Sequence, residues 1–180
     1  MSVLDAILKS PGRLTVGGAP EGYDALLIAE AARKRGGVTL HIARDDARAA
    51  AMLDALQFFA PDIGAAAFPA WDCLPYDRVS PRAEIVARRL ATLSLLARRG
   101  AKDPPLVVVA TINAVLQRVP PREDLLKRTL EAKPGDTLGI DALIAYLVQN
   151  GYARAGTVRE PGDFAVRGGL VDLFPPGSAQ

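Results

Sequence analysis

Residues 13–120 alternate short β-branched runs with stretches of helical periodicity. That alternation restricts the chain more than any other feature, because it builds βαβ units around a mostly parallel sheet. Four runs have strand character: Arg13-Leu14-Thr15-Val16, Val38-Thr39-Leu40-His41-Ile42, Ala65-Ala66-Ala67-Phe68 and Leu106-Val107-Val108-Val109-Ala110. The last is continuously apolar, the pattern of a central strand covered on both faces. Asp45 is placed to cap a helix whose positions Ala49, Met52, Leu53, Leu56 and Phe59 share one face. Ser80-Pro81 opens another, with Val86, Leu90, Leu93 and Ala97 on its apolar face and Arg88, Arg89, Arg98 and Arg99 on the others. Thr111 caps a short helix after the central run.

The pattern changes near Pro120-Pro121 and again at Pro134-Gly135. Ile140, Leu143, Ile144 and Leu147 form an amphipathic stripe that Asn150-Gly151 terminates. Pro161-Gly162 and Gly168-Gly169 then read as hairpin turns between short strands. The expected organisation is an α/β domain over 1–120 and a small α+β domain over 121–180. A sheet this small buries little core, so a further strand is expected beyond Gln180.

Composition removes several classes of function. The 180 residues carry 22 Lys and Arg against 20 Asp and Glu, a net +2 that gives no global attraction to nucleic acid. A single cysteine, Cys73, and a single histidine, His41, provide neither a disulfide nor a metal cluster, so no metal is expected. No apolar stretch reaches the length of a membrane span and the N-terminus lacks a signal-peptide core, which points to the cytoplasm.

Gly17 and Gly22 stand at P-loop spacing before an apolar helix over residues 25–32. The chemistry of a P-loop does not follow, because Tyr23 and Asp24 occupy the places of the phosphate-binding lysine and the magnesium-binding hydroxyl. Glu21 adds a second carboxylate and Pro20 removes a backbone donor, so Gly17, Gly22, Tyr23 and Asp24 form a degenerate nucleotide loop not expected to bind a nucleotide. The connection Ala70–Pro81 leaves the carboxyl end of a strand, where α/β ligand sites lie, yet Trp71, Leu74 and Tyr76 read best as residues pinning the loop down. Asp72 and Asp77 form a possible carboxylate pair without a reactive neighbour. His41 and Cys73 read as structural, so no catalytic residue is expected. In the last hairpin Phe164 and Val166 point inward and Arg167 outward beside a glycine turn. With Arg154 and Arg159 it makes a small basic cluster suited to a protein interface.

The block Trp71–Pro81, the following Ile85 and Arg89-Leu90, and the block Gly162–Pro175 resemble the N-terminal region of the bacterial transcription-repair coupling factor family, Mfd. That region is similar to the excision-repair protein UvrB, from which this chain departs at Tyr23-Asp24 and in having no tyrosine-rich insertion after Tyr76. The resemblance implies a helicase-like, P-loop-type α/β fold that has lost ATP binding, followed by a domain that recruits UvrA, with no cofactor. Arg167 maps onto a family arginine in the UvrA contact, and Arg154 onto a second; Arg159 joins them from the cluster. Other family contacts lie on a strand beyond Gln180. RNA polymerase and double-stranded DNA are partners of the family's full-length protein through other domains, as is its ATP-driven translocation. Two competing readings are a nucleotide-binding enzyme domain using Gly17–Gly22 and a UvrB-like DNA-damage module using the basic helix 82–99.

Overall fold

The computed structural model describes residues 2–74, 78 and 80–175, so Tyr76 and Asp77 of the long connection lie outside the described residues. Two compact units emerge: residues Met1–Trp71 with Arg98–Val119, and residues Asp72–Ala97 with Pro120–Gln180. The helix over residues 83–98 therefore groups for most of its length with the chain after 120, whereas the sequence pattern assigns it to the first domain.

The first unit holds α1 (Val3–Lys9), α2 (Tyr23–Arg35), β1 (Val38–Ala43), α3 (Asp46–Phe59), β2 (Gly64–Phe68), β3 (Leu106–Thr111) and α5 (Ile112–Leu116). Its sheet is parallel, in the order β1-β3-β2, with Val38 opposite Leu106 and Gly64 opposite the same residue on the other side. β3 is buried along its whole length, as its continuous apolar run requires. In-register partners share a face, so Val107 and Val109 stand with Thr39 and His41. That face receives α2 through Ala25, Ala29 and Ala32 and α3 through Met52 and Leu56. The small alanines let α2 lie close to the strands, while the apolar positions of α3 recur at one-face spacing. Arg33 grips Asp62 with Nε at 2.9 Å and Nη2 at 2.6 Å, fastening the end of α2 to the turn before β2.

Helix ends follow local rules. Asp45 accepts from the Arg48 N–H at 2.8 Å and Thr111 from the Ala114 N–H at 3.4 Å, the two caps legible in the sequence. α1 is an addition to the sequence reading, although Ser2 and Asp5 form a reciprocal capping box.

The second unit contains α4 (Ala83–Arg98) up to Ala97, α6 (Arg122–Lys127), α7 (Ile140–Gln149), β4 (Ala153–Arg154), β5 (Asp163–Arg167) and β6 (Leu170–Leu173). Leu147 is the buried anchor of the α7 stripe, and Gly151 takes the left-handed conformation (φ 82°) just after the helix. The sheet runs β4-β5-β6, and β5 and β6 form the hairpin expected around Gly168-Gly169. Phe164 and Ala165 are both buried, so central β5 is covered on two faces.

Four expectations change. Residues 13–16 form no strand: Leu14 and Val16 are exposed and the segment has no ladder partner, since β-branched side chains alone cannot supply one. The strand–loop–helix context of a P-loop is therefore missing. β4 pairs with β5 in parallel, Ala153 opposite Asp163, so Pro161-Gly162 closes a crossover loop and not a hairpin. Ser80-Pro81 stands ahead of α4; Asp72 instead accepts from the Arg82 N–H at 3.2 Å and pairs with Arg82 Nε at 2.6 Å. Finally, α4 buries Arg89 (1% exposed) and Thr92 while Leu90 is 44% exposed, so its inner face is rotated from the apolar stripe read in the sequence.

Candidate protein-interaction site

The candidate site is built at one edge of the β4-β5-β6 sheet by the order in which the chain reaches it. Ala155 N–H donates to the Phe164 carbonyl at 2.8 Å, closing the parallel step, and residues 155–162 then loop back to start β5. Asp163, the first residue of β5, accepts on Oδ2 from the backbone N–H groups of Arg159 (3.1 Å) and Glu160 (3.0 Å). This is a short-range carboxylate clasp of the kind that shapes turns. At the other end of β5, exposed Arg167 donates from Nη2 to the Gly156 carbonyl at 3.0 Å and to Thr157 Oγ1 at 3.4 Å. Among the described residues Nε and Nη1 have no bond, so the guanidinium is tied at one corner and open at the others.

The three arginines singled out in the sequence do not occupy one surface position. Register sets Arg154 beside Phe164, whereas Arg167, three residues further along β5, stands on the alternate face. Arg159 lies in the loop, exposed, and its backbone contributes to the Asp163 clasp.

The glycine loop of the first unit is differently made. Gly18 and Gly22 adopt positive φ, 71° and 81°, and Gly22 precedes α2 without a side-chain cap. The loop borders an open cavity of about 800 Å³ with His41, Arg44 and Arg48 among its other walls. Asp24 turns back to accept from the Ala25 N–H at 3.0 Å, and Glu21 pairs with Arg48 at 3.4 Å. Both members of that pair are exposed, so it stabilises little. The cavity wall thus mixes the carboxylates of Glu21 and Asp24 with Arg44 and Arg48, and Asp24 occupies the Ala25 N–H at the helix start, a donor that a phosphate would otherwise take. Burial pushes the His41 imidazole below its ordinary pKa, with the nearby Asp24 charge opposing.

The basic helix offers no continuous cationic row. Arg82 pairs with Asp72, Arg88 with Glu84 at 2.6 Å, and Arg89 is buried, where desolvation lowers its pKa. Sequence reasoning also missed a cleft of about 600 Å³ within the second unit, bordered by Leu90, Ser94, Leu125, Arg128, Tyr146 and Tyr152. The Tyr146 hydroxyl accepts from the Leu130 N–H at 3.0 Å and donates to the Arg128 carbonyl at 2.6 Å. A tyrosine on the polar shoulder of the α7 stripe was its sequence signal. Among the described residues no cluster of histidine, cysteine or carboxylate side chains could hold a metal, and no helix is long and apolar enough to cross a membrane.

Residues 130–180, which hold this small sheet and its open arginine, match the family model of the UvrB interaction domain. Over the region it covers, the chain belongs to the transcription-repair-coupling factor family. It is 36% identical over 166 residues to the transcription-repair-coupling factor of Haemophilus influenzae, covering 91% of this chain and 14% of that protein. The Escherichia coli factor is 36% identical over 156 residues (86% of this chain, 13% of that protein). The Mycobacterium bovis factor is 38% identical over 114 residues, 62% of this chain and 9% of that protein. The chain thus spans about one seventh of the length of the first relatives.

Proposed function

We propose that this chain is a non-catalytic docking module of transcription-coupled nucleotide excision repair, working in the cytoplasm, and that its terminal α+β unit binds UvrA. One observation carries the reading: within the stretch that matches the UvrB interaction domain, Arg167 is exposed, fastened by one nitrogen and open at the rest. Arginine so held gives strong charge-assisted contacts to carboxylates at little entropic cost. Arg154 and Arg159 extend the contact around the same small unit. The first unit contributes a helicase-like scaffold whose nucleotide loop is degenerate; the three-stranded parallel sheet with its flanking helices supports that reading. Recruitment of UvrA to stalled RNA polymerase, and engagement of double-stranded DNA, belong to the longer protein through other regions.

The test is calorimetric titration of UvrA with the chain and with Arg167→Glu. Charge reversal at this arginine is expected to weaken binding by about a hundredfold, while stability falls by no more than about 1 kcal/mol because its bonds to Gly156 and Thr157 are exposed. Equal affinity for the folded variant and its parent would remove Arg167 from the interface.

A further inference from the structure

We infer that the loop over residues 155–162 is a brace that fixes the direction of the Arg167 guanidinium, with Asp163 and Thr157 as positioning residues. The inference rests on the reading of Arg167 as the UvrA contact. Three fastenings define the brace. Its start is held by the Ala155 N–H on the Phe164 carbonyl, and its end by the Ala153 N–H on the Gly162 carbonyl, at 2.8 and 2.9 Å. Its middle is held by Asp163, whose Oδ2 gathers the N–H groups of Arg159 and Glu160. With these in place the Gly156 carbonyl and Thr157 Oγ1 both lie within reach of one Arg167 nitrogen.

The consequence is for the free state. An exposed arginine loses several rotatable bonds when a partner captures it, and a side chain already held in one direction loses fewer. Here both acceptors fall on Nη2, so the brace orients the group without consuming Nε or Nη1. Asp163 bonds to the loop backbone and not to Arg167, so it acts by holding the loop. Its charge is not required for that, because an amide oxygen accepts the same two backbone N–H groups.

Titration of UvrA with Asp163→Ala, Asp163→Asn, Thr157→Val, Arg167→Ala and the double variant Asp163→Ala/Arg167→Ala tests this. Asp163→Ala and Thr157→Val are each expected to weaken binding about two- to tenfold, the range for ordering a flexible side chain at an interface. Asp163→Asn should restore parental affinity, and the double variant should bind no more weakly than Arg167→Ala alone, because the brace works only through Arg167. Independent losses that add in the double variant, or parental binding by both Asp163→Ala and Thr157→Val, would overturn the brace. Nitrogen-15 relaxation of Arg167 Nε gives a readout without UvrA: restricted motion in the parent and Asp163→Asn, free motion in Asp163→Ala. If the parent fails to bind UvrA while this relaxation pattern holds, the docking assignment falls and the brace stands. Free motion of Nε in the parent overturns the brace whatever UvrA does.

Discussion

Two loops carry the functional expectations of this chain, residues 17–22 and residues 155–162, and they share glycine, proline and an acidic residue. They differ in what holds them. The first is joined to α2 by short-range backbone bonds on the Pro20 and Gly22 carbonyls and to α3 by the exposed Glu21–Arg48 pair, and it sets Glu21 toward its cavity. The second is fastened by ladder bonds at both ends, by Asp163 in the middle, and by the arginine it supports. Glycine spacing describes only how a backbone can bend. Which ligand it serves is decided by the charges on the loop and by the bonds that keep it in one shape.

The largest expected effect separates the cores of the two units. Phe164 is fully buried in the second and Leu56 nearly so in the first. Truncating either to alanine should cost roughly 2–5 kcal/mol. Phe164→Ala is expected to abolish Arg167-dependent binding of UvrA, whereas Leu56→Ala leaves it, as followed by denaturation and titration on the same samples. Loss of binding in both would mean that the two units do not carry separate roles.

A smaller effect sharpens the comparison inside the first loop. Gly22 holds φ 81°, and an added Cβ would meet the Phe59 ring at 3.3 Å, so Gly22→Ala should lower stability by about 1–2 kcal/mol. Gly17 lacks a positive φ, and a Cβ added there would meet nothing within 4 Å, so Gly17→Ala should melt with the parent. If Gly17→Ala destabilises as much as Gly22→Ala, the loop is under a constraint that its backbone does not show.

Sequence legibility followed the range of the interactions. β3, the caps at Asp45 and Thr111, the α7 stripe and the Gly168-Gly169 turn are set by residues a few positions apart, and each could be read. The failures involve distant partners. Nothing local says that residues 13–16 lack a strand to pair with, that β4 runs parallel to β5, or that Asp72 will serve the start of α4 from ten residues away. Arg89 escapes the sequence pattern for a related reason: charge predicts exposure unless the fold surrounds the position, and here it does. The candidate site divides the same way. Strand alternation and the turn beside it announce only that Arg167 points outward, its role as a contact rests on the family resemblance, and the loop that grips it depends on a crossover that no spacing rule announces.

The smallest effect concerns pH and again separates the units, because the single histidine of the chain lies in the first. Burial holds the folded His41 below its ordinary value of 6.5, so between that value and the folded one the unfolded chain binds the proton and the folded chain does not. Stability from this group is complete above 6.5 and is lost as pH falls toward the folded value. Denaturation of the first unit should therefore become easier just below 6.5, and His41→Asn should flatten that slope. Asp24→Asn removes the charge that opposes the shift and should steepen it. The carboxylates act lower: hydrogen bonds hold Asp45 and Asp72 below 3.8, so their contribution persists until the solution is acid enough to protonate them. The second unit has no histidine and should be level across the interval where His41 titrates, so a shared slope in both units would show that they unfold as one.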